Sequence, residues 1–164
     1  MIFITVGTHE QPFDRLLKCI DKLVEDRIIT EEIICQKGYT NYEPKNYKAE
    51  KLIPYEQMQE NIKNARIVIT HGGPASFIAP LSIGKIPVVV PRKKDFNEHV
   101  NNHQLEFSRE VAKRMGNIIV AETDEEIIDA IVNYDEKVKS LSNENKSNNK
   151  VFNEKLIKEI EEIL

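Results

Sequence analysis

The sequence predicts a doubly wound α/β fold built on a parallel sheet. Three observations carry this expectation. Short apolar runs rich in β-branched residues recur at 2–6, 33–35, 67–70, 88–90 and 118–120. Stretches with apolar residues at helical spacing lie between them, and glycine or proline marks most junctions. The runs are continuous rather than alternating, which is the pattern of strands covered on both faces, so helices are expected on each side of the sheet.

The elements follow in order. Residues 2–6 form a strand that stops at Gly7. Phe13, Leu16, Leu17, Ile20, Leu23 and Val24 then share one helix face. Ile33, Ile34 and Cys35 make a second strand. Residues 37–50 are polar, contain Gly38 and Pro44, and read as loop. Leu52 and Ile53 begin a third strand that Pro54 ends. Residues 56–64 are a short helix and 67–70 a further strand. After His71-Gly72-Gly73 a helix runs to about Ile83, with Gly84 as its left-handed cap and Pro87 barring continuation. Val88, Val89 and Val90 form a strand closed by Pro91. A polar loop, 92–98, leads to a helix with Val100, Phe107, Val111 and Met115 facing inward, ended by Gly116. The last strand is 118–120. Thr123-Asp124-Glu125-Glu126 is a capping box opening a helix with Ile127, Ile128, Ile131 and Val132 inward. The domain is expected to span 1–141. Residues 142–150 read as a flexible linker. Residues 151–164 read as an amphipathic helix, with Phe152, Leu156, Ile160 and Ile163 on one stripe. That stripe would pack on another chain or on its own domain.

Composition narrows the function classes. A chain of 164 residues is one domain of ordinary size. Its 23 basic and 27 acidic residues leave a net charge of −4, a poor basis for wrapping nucleic acid or coating anionic lipid. No apolar run approaches the ~18 residues of a membrane span. The first residues lack the basic region and apolar stretch of a signal peptide. Cys19 and Cys35 match no metal or redox spacing, and a reducing cytoplasm is the expected location. The dinucleotide fingerprint, the P-loop and the nucleophile elbow are all absent from the sequence. No Asp-x-Asp occurs, and His99 and His103 lack the carboxylate of a zinc-binding H-E-x-x-H, so no metal is expected.

Parallel sheets bind ligands at the carboxyl ends of their strands, where three segments stand out: Gly7-Thr8-His9, His71 to Ser76, and Pro91 to Gln104. In the second, paired glycines permit close backbone approach and Pro74 suits a first helical position. The amides of Ala75, Ser76 and Phe77 would then face an anion. A tight turn serving packing alone fits the same residues. Gly7 and Thr8 could present further amides. The loop from Arg92 to His99 is basic at its start and could either screen a diphosphate or be a solvated loop. Asn102, His103 and Gln104 open the next helix, and amide side chains suit sugar hydroxyls because each offers donors and an acceptor.

At these residues the sequence resembles a known family. The runs 70–76, 84–92 and 98–104 are similar to the C-terminal, sugar-nucleotide-binding half of family 28 glycosyltransferases, which have the GT-B fold. The opening 3–8, with Phe13 and Asp14, also fits, and the similarity covers about 1–135. Within the family the chain most resembles the PssE/EpsF type of exopolysaccharide and capsule synthesis subunits. More distantly, it resembles the soluble subunit of the split GlcNAc transferase of N-glycan precursor synthesis.

The resemblance implies a Rossmann-like donor lobe that holds the diphosphate of a UDP-sugar over the helix after Gly72-Gly73. Asn102, His103 and Gln104 match the family's Asn-His-Gln, whose glutamine contacts the donor sugar. Arg92 would be a phosphate partner, with Glu98 and His99 in the same matching run. Catalysis would be metal-independent, the base would lie in the other lobe, and His9 is a candidate for a supporting role. A PssD-like, membrane-associated chain would supply that lobe and a lipid-linked acceptor, holding this chain at the inner membrane face. A homo-oligomer is expected without it. The donor would be UDP-galactose or UDP-GlcNAc. One departure stands out. Ala79, followed by Pro80, occupies the position of a glutamate that holds the ribose in many members. A kinked donor helix is expected there. The alternatives are a non-catalytic partner of a glycosyltransferase chain, or an unrelated flavodoxin-like receiver or nucleotide sensor.

Overall fold

The structure is a computed structural model that describes residues 1–144, 157 and 158. Strands are β1 (Ile2–Thr5), β2 (Ile33–Gln36), β3 (Lys48–Glu50), β4 (Ile67–His71), β5 (Val88–Val90) and β6 (Ile119–Val120). Helices are α1 (Asp14–Glu25), α2 (Tyr55–Asn64), α3 (Pro74–Ser82), α4 (His103–Met115), α5 (Asp124–Val132) and α6 (Tyr134–Glu144), with one 3₁₀ turn at Lys94–Phe96. All strand pairs are parallel, in the order β3-β2-β1-β4-β5-β6. This is the Rossmann-like doubly wound order that the apolar runs imply, and the winding reverses between β1 and β4.

Alternate strand residues point to opposite faces, and each face has its own core. On one, Ile2, Ile4, Ile67, Ile69 and Val88 pack beneath Leu16, Leu17 and Ile20 of α1 and Ile127 and Ile131 of α5. On the other, Phe3 and Val68 meet Ile62 of α2, while Val89 meets Phe77 and Leu81 of α3 and Val111 of α4. The register holds these layers level: Ile4 pairs with Cys35 on one side and Ile69 on the other, and Ile69 pairs with Val88.

Several elements differ from the sequence expectation. The third strand is 48–50, within the stretch read as loop, and not 52–53. It lies at the sheet edge, where Lys48 and Glu50 face solvent, so it needs no apolar run. Ile53 leaves the ladder because its amide donates to Oε1 of Gln36 at 3.0 Å. The preceding loop is anchored by buried Asp21, which accepts from the Tyr42 hydroxyl at 2.7 Å and from the Lys45 and Asn46 amides at 2.9 Å.

Helix α4 starts at His103, leaving Val100 65% exposed in the loop. Val132 is also exposed, and Tyr134 takes the inward position instead, its hydroxyl donating to the Ile86 carbonyl at 2.6 Å. Thr123 caps α5 as expected, accepting from the Glu126 amide at 3.2 Å, but Glu126 reaches back to the Glu122 amide rather than to Thr123. Helix α6 covers the first three residues of the expected linker. The rest of that linker lies outside the described residues, as does the terminal helix apart from helical Ile157 and Lys158. No helix of the described residues is long and apolar enough to cross a membrane.

Candidate functional site

The carboxyl ends of β1, β4 and β5 meet beside the winding reversal. Arg92, two residues beyond β5, turns inward and is fully buried. Its Nη1 donates to the carbonyls of Gln11 at 2.7 Å and Glu98 at 3.1 Å, and its Nη2 donates to that of Val6 at 2.8 Å. The guanidinium carbon sits 4.8 Å from the centroid of the Phe13 ring. One side chain thus ties the loop after β1 to the loop after β5. Burial pushes the guanidinium down to about 10, so it is charged at neutral pH. The Glu98 carboxylate is held by Arg15, at 3.0 Å from Nε and 3.2 Å from Nη2, and by the Lys93 amide at 3.0 Å. These contacts correct the expectation of Arg92 as a direct phosphate partner. Arg92 lies beneath the cleft as a buried positive charge, and Glu98 is a buried brace.

His71 ends β4, and its ring lies between two glycines. A Cβ on Gly7 would fall 2.5 Å from His71 Cε1, and one on Gly73 would fall 2.4 Å from His71 Nε2. Gly7 also has φ +73°, a conformation costly for other residues. Gly72 admits α4: a Cβ there would fall 2.9 Å from both Gln104 Cβ and Ser108 Oγ. The glycines therefore make room for the protein's own side chains. Burial, then the charge of Arg92, pushes the His71 imidazole down to about 4, so it is neutral at physiological pH.

Gly73→Ala is expected to cost about 2 kcal/mol by overpacking against the imidazole. In Gly73→Ala/His71→Ala the added methyl has space, so the two losses should fall short of additive by about 1 kcal/mol or more in urea denaturation. Strict additivity would count against this packing.

Gln104 joins two strand ends. Its Oε1 accepts from the Gly72 amide at 3.1 Å and the Arg92 amide at 3.2 Å, which leaves the side-chain NH₂ as its donor toward the cleft. Asn102 closes the adjoining loop, accepting from the Lys94 amide at 2.9 Å, and Asn101 accepts from the His103 amide at 3.1 Å. His103 is largely exposed.

The amides at the start of α3 are fewer than expected, because that of Ser76 donates to the Gly73 carbonyl at 3.0 Å. Pro74, Ala75 and Thr8 are exposed. Ala79 packs instead toward Phe3, Ile62 and Val68, and α3 continues through Pro80 to Ser82.

A cavity of about 690 Å³ gathers many of the expected residues: Gly72, Gly73, Pro74, His99, His103 and Gln104 line it. Glu106, Phe107 and Glu110 complete it. The sequence reading missed these three. The available signal was spacing, since 103, 106, 107 and 110 form one stripe of α4. Phe107, expected in the core, is 41% exposed, with its ring centroid 6.0 Å from that of Phe77. The volume lies in the range of small-ligand sites.

Fold and cavity together define a Rossmann-like domain with an open cavity at the carboxyl ends of a parallel sheet, beside the winding reversal. The chain belongs to glycosyltransferase family 28: residues 1–160 match the model of the family's C-terminal domain, and the sheet is that of the C-terminal half of a GT-B fold. Two curated relatives carry the name UDP-N-acetylglucosamine transferase subunit ALG13. The human protein is 33% identical over 121 residues, and the mouse protein 30% identical over 122. Each match covers 68% of this chain and 10% of the relative, so the chain spans about a tenth of the length of the curated relatives it matches.

Proposed function

We propose that the chain is the donor-binding subunit of a two-chain, inverting glycosyltransferase that uses a UDP-sugar. The observation that carries this reading is the cavity between the Gly72-Gly73-Pro74 turn and Gln104, with the buried charge of Arg92 beneath it. A buried cation whose hydrogen bonds run only to carbonyls favours an anion at the mouth above it. As the sugar leaves, charge grows on the UDP oxygens. Backbone donors of the turn, the α3 dipole and Arg92 stabilise that charge without requiring a metal ion. The Gln104 NH₂ orients the donor, and its Oε1 is locked by two amides, so the group is positioned before substrate arrives.

The relatives' names favour N-acetylglucosamine over galactose as the transferred sugar, and the word subunit in them favours a split enzyme. The acceptor is a lipid-linked saccharide, presented by a PssD-like, membrane-associated partner that supplies the catalytic base. The PssE/EpsF resemblance favours exopolysaccharide or capsule synthesis as the setting.

The test is sugar transfer from UDP-GlcNAc by the complex of both chains. Gln104→Ala is expected to lower the rate by about 100-fold, the scale of a lost transition-state donor, and Gly73→Asp should lower it too, by placing a carboxylate where the anion would lie and crowding His71. Full activity in both variants would defeat this reading in favour of a non-catalytic, stabilising partner. That second reading draws on Ala79, which faces the apolar cluster and offers no carboxylate to a ribose.

A further inference from the structure

His9 and His99 come from different loops, one after β1 and one after β5, yet their ring centroids lie 4.7 Å apart with planes tilted by 47°. Both rings are held in the same way. Nδ1 of His9 accepts from the Gln11 amide at 3.1 Å, and Nδ1 of His99 accepts from the Asn101 amide at 3.3 Å. An imidazole whose Nδ1 accepts a hydrogen bond carries its proton on Nε2. Each ring therefore presents an N–H donor from its free edge and no lone pair. His99 lines the cavity beside Gly72, Gly73 and Pro74. His9 follows Gly7 and Thr8, and the Arg92 charge reaches it.

We propose that His9 and His99 form a paired Nε2–H donor clamp for the oxygens of a diphosphate, a proposal that rests on the donor-binding reading above. The chemistry selects the ligand. Two adjacent donors without acceptors match a group that is all acceptor. The buried guanidinium below favours negative charge, and with ring centroids 4.7 Å apart one small ligand can touch both imidazoles. Glu106 and Glu110, on the α4 side of the cavity, repel the anionic end and accept from hydroxyls, so the uncharged part of the ligand lies toward them. The same tautomer removes His9 as a general base through Nε2, since that nitrogen has no lone pair to receive a proton.

The experiment uses the full chain in chelator-containing buffer, with three probes: UDP, uridine and inorganic pyrophosphate. Imidazole ¹⁵N shifts should report Nε2–H in both rings, and both signals should move on adding pyrophosphate. His9→Ala and His99→Ala should each weaken UDP binding by about tenfold and leave uridine binding unchanged. His99→Gln, which keeps a donor, should retain most of the affinity. An Nδ1–H tautomer in either ring, or unchanged UDP affinity in both alanine variants, overturns the clamp while the donor-binding reading stands. Pyrophosphate binding at both rings without UDP binding sustains the clamp and overturns the donor-binding reading. Failure to bind either probe overturns both.

Discussion

Replacing Arg92 by alanine is expected to cost about 5 kcal/mol, much of the stability of an ordinary domain. Three carbonyls, buried ones of Val6 and Glu98 and the half-buried one of Gln11, would lose their donors together, at about 1–3 kcal/mol for each buried one, and the face of Phe13 would line a void. Arg92→Met restores volume without donors and should recover only a small part of the loss. Arg92→Lys keeps the charge, but a single ammonium cannot reproduce the planar fork that reaches carbonyls from separate loops. Urea denaturation at neutral pH ranks the three variants. A loss below about 1 kcal/mol in Arg92→Ala would mean that Arg92 does not hold the two loops together. The effect should also reach the cavity, since the loop after β5 carries His99, which lines it.

The second large effect is acid sensitivity centred on His71. Its ordinary value is 6.5, and in the folded chain it lies near 4 because the ring is buried and stands close to Arg92. Between those values the unfolded chain binds a proton that the folded chain refuses. The unfolded state therefore holds more protons, and stability falls as pH falls. The full contribution is present above pH 6.5 and is lost progressively down to about pH 4. The integrated loss is about 3 kcal/mol. His9 acts in the same direction but less, since its ring is only partly buried. Carboxylates held low by their partners, such as Glu31 beside Arg66, lose their contribution at lower pH, starting from an ordinary value of 4.5. Denaturant titrations from pH 7.5 to 4.5 should show the slope, and His71→Asn should flatten it. A wild-type profile level across that window would show that the ring is not held neutral by burial.

Five strands were legible in the sequence because strands covered on both faces must be continuous runs of apolar residues, as at Val88–Val90. β3 was not, because an edge strand is held by backbone pairing, which leaves Lys48 and Glu50 free to be polar. The place of the candidate cavity was legible through Gly72, Gly73, Pro74, His99, His103 and Gln104, which line it. The roles were less so. Paired glycines signal close approach, and only the third dimension shows that the approaching group is an imidazole or an α4 side chain rather than a ligand. Arg92 sits in a basic run with Lys93 and Lys94, so it reads as solvated. Its burial depends on carbonyls distant in sequence, and no local pattern reports them. Phe107 reads as core because hydrophobicity alone does not separate an inward face from one that lines a cavity.

The margins of the sheet carry a further consequence. One border strand alternates charged side chains toward solvent, and the other is two residues long. A strand from a second molecule would meet either lysine and glutamate or a ladder too short to hold it, so neither border is a template for edge-to-edge growth. The domain is thereby guarded against self-templated aggregation.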